Sequence, residues 1–203
     1  MRLLNKSLTL LELLIALGLF SVVILAFTSI QYFSQLHVMT AERQSLLQNE
    51  ISLALEHMAK FVSQAPGYPN RPAIDRPPFP NNNAGFRTWI DRNIPPTPDR
   101  PGDDTSVDYI LQVLPVNALI CRINGVFSVT FSNHILPGVT YGLMPSPLPA
   151  NPSGFYINIT NPGPTGSMIE VGLVARWKPG NASLDNPQVV MKTLLYARGS
   201  AIH

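Results

Sequence analysis

A carboxylate, Glu12, stands inside the apolar run from Ser7 to Ile30, SLTLLELLIALGLFSVVILAFTSI. The next Asp, Glu, Lys or Arg is Glu42, so Leu13 to Ala41 carries no formal charge apart from what His37 contributes. An acid in such surroundings is costly unless a partner meets it. No basic residue lies one helical turn away within the run, so the local partner on offer is an amine, created if the chain is cut shortly before Glu12. A second group of acids, Asp99, Asp103, Asp104 and Asp108, gathers around Gly102. Oxygen-rich loops hold calcium, which makes Asp103, Asp104 and Asp108 the candidate ligands. Their spacing does not match the EF-hand loop, and aspartate is common in turns and at strand starts, so a solvated loop without metal or cofactor is expected. No catalytic set emerges: His57, His134 and His203 are scattered, and Cys121 reads as a small buried hydrophobe in an apolar strand. No G-x-S-x-G, H-E-x-x-H, phosphate loop or dinucleotide fingerprint occurs, and the chain is expected not to be an enzyme.

The elements that must position Glu12 follow from proline and from periodicity. Twenty prolines are present and none precedes Pro66, which permits one unbroken helix over residues 8–65. Its first half, about 8–33, has the roughly 20 apolar residues that a membrane helix needs. Gly18 and Ser21 give it small surfaces for close helix approach. Beyond Ile30 the pattern turns amphipathic, with Tyr32, Leu36, Met39, Leu47, Ile51, Leu55 (or Ala54), Met58 and Val62 at mostly three- and four-residue steps. Arg2 and Lys6 precede the span and the first basic residue after it is Arg43, so the leader stays cytoplasmic and the remainder is exported.

Residues 66–105 read as a proline-rich extended loop, with Phe79, Phe86, Trp89 and Ile90 pinning it to the sheet or to a neighbour. Residues 106–203 read as a sheet domain. Its strands are expected at 106–114, 118–123, 126–131, 155–160, 168–177 and 189–197, all rich in Val, Ile, Tyr or Phe. Asn124-Gly125 predicts a type I′ hairpin. No helix-length spacer separates these strands, so the fold class is α+β, a long N-terminal helix packed on a mostly antiparallel sheet. A net charge of +2, with only 13% charged residues, gives no nucleic-acid footprint. Cys121 is the sole cysteine, so no disulfide closes within the chain.

Lys6-Ser7-Leu8-Thr9-Leu10-Leu11-Glu12 resembles the processing site of the type IV pilin-like superfamily, the prepilins and the type II secretion pseudopilins. The resemblance implies removal of a leader, residues 1–7, by prepilin peptidase. It implies a cut between Ser7 and Leu8, N-methylation of Leu8, and Glu12 as the fifth mature residue and the assembly residue. Ser7 stands where that family usually has Gly, and Leu8 where it usually has Phe. The phrases VDYIL, LICRING, IEVGLVARW and TLLYARG resemble the outer domains of larger minor pilins and of the J-type minor pseudopilin.

The function so implied is that of a minor pilin or pseudopilin. Such a subunit sits in the bacterial inner membrane as a single-pass protein with its C-terminal domain periplasmic or extracellular. Its partners are the peptidase, other pilin or pseudopilin subunits, the inner-membrane assembly platform and the lipid bilayer, and it ends in a filament. Two other readings remain. An uncleaved signal anchor would make the chain a lone membrane-anchored enzyme or binding protein, and ordinary signal removal would release a soluble domain.

Overall fold

The computed structural model describes residues 9–67, 71–79, 83–91, 104–113, 117–160, 167–181 and 186–197. Among these residues one helix, α1 (Leu10–Ser63), precedes nine strands. The strands are β1 (Ile74–Asp75), β2 (Ala84–Ile90), β3 (Thr105–Gln112), β4 (Ala118–Ile123), β5 (Phe127–Ser132), β6 (Val139–Tyr141), β7 (Phe155–Thr160), β8 (Met168–Arg176) and β9 (Gln188–Tyr196). The architecture is α+β, as expected. The chain divides into two compact units at Glu42/Arg43. The first holds the apolar part of α1, and the second holds the rest of α1 with all the strands.

Sequence chemistry explains where α1 starts and stops. It has no proline and one glycine, Gly18, so nothing interrupts its hydrogen-bond ladder. Near its end the Gln64 N–H bonds to the Phe61 carbonyl (3.2 Å) and the Ala65 N–H to the Val62 carbonyl (3.1 Å). These shorter-range bonds tighten the last turn, and Pro66 then disfavours a helical Ala65.

From Arg43 onward, α1 presents Leu47, Ile51, Ala54, Leu55, Met58 and Val62 to the interior, the stripe that the three- and four-residue spacing predicts. They join one cluster with Phe86, Tyr109 and Leu119 of one sheet and Phe155, Ile157, Val171 and Leu173 of another. Each fully buried large apolar side chain here is worth about 1.5–3 kcal/mol.

The strands form two sheets, ordered β1-β2-β3-β4-β5 and β6-β7-β8-β9. All pairs are antiparallel except β6 with β7. The Asn124-Gly125 turn between β4 and β5 has positive φ at both residues, 51° and 72°, which is the backbone that the dipeptide favours.

The sheets meet at β2 and the β6–β7 pair. Phe86 and Phe155 lie 6.2 Å apart, and the Tyr141 hydroxyl accepts from the Gly85 N–H (3.2 Å) and donates to the Gly85 carbonyl (3.0 Å). Glycine is required at this seam: a Cβ on Gly85 would lie 1.9 Å from the Tyr109 carbonyl oxygen.

The segment 66–105, expected to be an extended loop, departs from that expectation: Ala84–Ile90 is a strand lying between β1 and β3. Its window carries no proline, so the backbone donors needed for two-sided pairing are present. Phe86 enters the core from this strand, while Phe79 covers Ile110, Ala118 and Ile120 on the other face of the sheet.

Candidate functional site

Glu12 is the third residue of α1, and the helix start is built around it. The Thr9 hydroxyl accepts from the Glu12 N–H (3.3 Å). In return Glu12 Oε2 accepts from the Thr9 N–H (2.9 Å) and from the Thr9 hydroxyl (2.9 Å). This is a reciprocal capping box, T-x-x-E, which satisfies backbone donors that a helix start otherwise leaves open. Thr9 is a capping residue that sequence reasoning missed, although its signal, Thr three residues ahead of Glu before an apolar run, is legible in the chain. Both carboxylate bonds end on Oε2, and Oε1 takes part in neither.

The cap satisfies hydrogen bonding but leaves the charge in place. Ser7 and Leu8, the expected processing pair, lie outside the described residues. The N–H that caps Glu12 belongs to the Leu8–Thr9 peptide, so a cut between Ser7 and Leu8 leaves it intact. The same cut creates an amine one residue before the cap.

The rest of this unit is a largely apolar surface on which four hydroxyls fold back onto the helix. Leu10, Leu17, Phe20, Leu25, Phe27 and Ile30 are each at least 60% exposed. Four hydroxyls bond to carbonyls of the preceding turn: Ser21 to Gly18 (2.7 Å), Thr28 to Ile24 and Leu25 (both 3.0 Å), Ser29 to Leu25 (2.8 Å) and Thr40 to Leu36 (2.9 Å). Such back-bonding lets Ser and Thr sit in hydrocarbon without orphaned donors. α1 is long and apolar enough to cross a membrane.

The candidate calcium ligands do not come together among the described residues. Asp103 lies outside them. Asp104 is paired with Arg71, and Asp108, 2% exposed, takes Arg87 Nε and Nη2 at 2.5 and 3.0 Å. That bidentate bond holds the Arg87 guanidinium above its ordinary range. Arg71 and Arg87 also lie 4.2 and 5.4 Å from the Trp89 ring centroid, so these acids anchor a rack of cations on an indole. Among the described residues no three His, Cys, Asp or Glu side chains converge as a metal cluster would.

Cys121 and His57 sit in packed surroundings. Cys121 is buried, and burial, with Asp108 nearby, pushes its thiol up to about 11. His57 Nδ1 lies 2.9 Å from the Tyr109 hydroxyl, which also donates to the His57 carbonyl (3.2 Å). Phe61 and Phe131 flank the ring at 4.4 and 5.0 Å. Burial first, and the Lys60 charge second, lower the His57 pKa below its ordinary value. A recess of about 290 Å³ beside β1 is bordered by Pro72, Ile74, Asp75, Arg76 and Ile159, and among the described residues no Ser, Thr, Cys or His lines it.

Comparison of the chain with models of protein families, with curated proteins and with solved structures returned no match.

Proposed function

We propose that this chain is a structural subunit of a pilus-like filament, a minor pilin or pseudopilin that a membrane peptidase cuts between Ser7 and Leu8. The observation that carries the proposal is one acid at the third position of a helix whose next 29 residues, Leu13 to Ala41, hold no formal charge outside His37. In the membrane and in a filament core that charge needs a counter-ion, since two opposite charges in a low dielectric attract strongly and each is costly alone. The Leu8 amine of an adjacent subunit supplies it and sets the register between subunits. The apolar residues Leu10 to Phe33 anchor the chain before assembly and pack against neighbouring helices afterward.

The capping box favours a second proposal, a lone protein held by an uncleaved anchor. Thr9 gives Glu12 a partner within its own chain, so helix initiation alone is a sufficient role for the acid. Two substitutions separate the readings. Gln keeps the box and removes the charge, whereas Ala removes both. Pairing between subunits predicts that Glu12→Gln enters the membrane but is incorporated into filaments at least tenfold less than the parent, much as Glu12→Ala is. Normal incorporation of Glu12→Gln would overturn the pairing and leave the cap as the acid's role.

A further inference from the structure

We infer that β9 offers its free edge to an extended strand of another protein, one that carries an acidic side chain flanked at alternate positions by apolar ones. β9 ends the sheet β6-β7-β8-β9, and among the described residues no backbone group bonds to its outer side. Such an edge is a template for another chain unless it is blunted. The other three sheet edges are blunted: β1 has two residues, β6 has three, and β5 is interrupted by a bulge where Leu119 faces Ser132 and Ile120 faces Thr130. β9 has nine residues, no proline and an unbroken register along β8. Its inward residues hold it in place: Val189 and Leu195 are buried in the core, and the Ser52 hydroxyl of α1 donates to Met191 Sδ (3.7 Å). The strand belongs to the outer unit, so this contact does not depend on α1 being an anchor.

The outward face of β9 sets what the added strand must carry. Val190, Lys192, Leu194 and Tyr196 alternate along it, and all are exposed although only Lys192 is charged. Beside Val190 and Lys192 lies a recess of about 270 Å³, walled by Met144, Pro145, Ser146 and Leu148. That wall is fixed, because Met144 and Leu148 pack on Leu136, Tyr156 and Val174. A strand laid along β9 sits roughly 4.8 Å away and turns alternate side chains to this same face, so the one opposite Val190 faces the recess. Lys192, at the centre of the strand, pairs with no acid among the described residues. An acid opposite it makes a favourable cross-strand pair, whereas a second copy of β9, paired antiparallel over its whole length, sets Lys192 against Lys192. The charge therefore selects a foreign strand over a second copy.

The test measures binding of a labelled peptide, KTVTETLTK, to the full chain in detergent by fluorescence anisotropy. Laid antiparallel, its valine, glutamate and leucine face Leu194, Lys192 and Val190. Binding should be seen below about 1 mM, and Lys192→Glu should weaken it about tenfold. The charge-swapped peptide KTVTKTLTK should restore binding to Lys192→Glu, and should bind the parent no better than the first peptide binds that variant. A strand bonds to one neighbour through every second residue, so N-methylating one alternate set of peptide residues should abolish binding and N-methylating the other set should leave it. No binding up to about 1 mM, equal behaviour of the two N-methylated peptides, or no reversal by the charge swap would each overturn the proposal. Amides of β9 whose exchange protection falls when the chain alone is diluted would assign the edge to a second copy and overturn it as well.

Discussion

Glu12 serves two demands that pull on different parts of the same carboxylate. Helix initiation uses Oε2 as an acceptor, and either Glu or Gln meets that need; the proposed burial in a membrane or filament would concern the charge, which only a cation would offset. Thr9→Val, which removes the hydroxyl and keeps the charge, should cost about 1 kcal/mol of helix start and leave filament incorporation within about twofold of the parent. Incorporation as poor as that of Glu12→Ala would move the role from the charge to the cap. His57 should give the outer domain a dependence on pH. Its folded pKa is depressed, so between that value and the ordinary 6.5 the unfolded chain binds a proton that the folded chain refuses. Stability is therefore complete above 6.5 and falls as the pH drops through that value toward the folded pKa. Thermal unfolding in detergent should show a midpoint that falls on acidification. His57→Phe should flatten that fall, and an unchanged slope would place the dependence elsewhere.

Among the elements, α1 was the most legible, because the absence of proline before Pro66 and the spacing of Leu47, Ile51, Met58 and Val62 are both local signals. Six strands were legible within one or two residues for the same reason. The strand Ala84–Ile90 was not, since prolines on both sides of it obscured a proline-free window of ordinary strand length. Val139–Tyr141 is three residues long and pairs in parallel with β7, a contact that no turn signal announces. The division into two sheets depends on where distant strands meet, as do the Arg71 and Arg87 partners of Asp104 and Asp108, and spacing along a chain does not encode those meetings. The seam between the sheets yields a direct prediction. Gly85→Ala would place a methyl group against the Tyr109 carbonyl and disturb the Tyr141 bonds, so the outer domain should lose roughly 3 kcal/mol or more, read from urea unfolding. A loss below about 1 kcal/mol would mean that β2 and β3 separate there without penalty.

At the level of the molecule, the two units divide the labour. One is an apolar helix surface with a single acid at its start, long and apolar enough to cross a membrane. The other is a sandwich of helix and two sheets with a contiguous core of its own. The T-L-L-E start and the apolar run were both readable in the chain; what they lacked was the cap that ties them together. The proposed assembly turns on whether an amine forms next to that cap, and the state of the N-terminus decides it. Intact mass and N-terminal sequencing of the membrane form, purified from a host that carries a prepilin peptidase, should find Leu8 as the first residue, bearing a methyl group. A mature chain that still begins with Met1 and keeps Ser7 would contradict the account, because no amine would then stand beside Glu12.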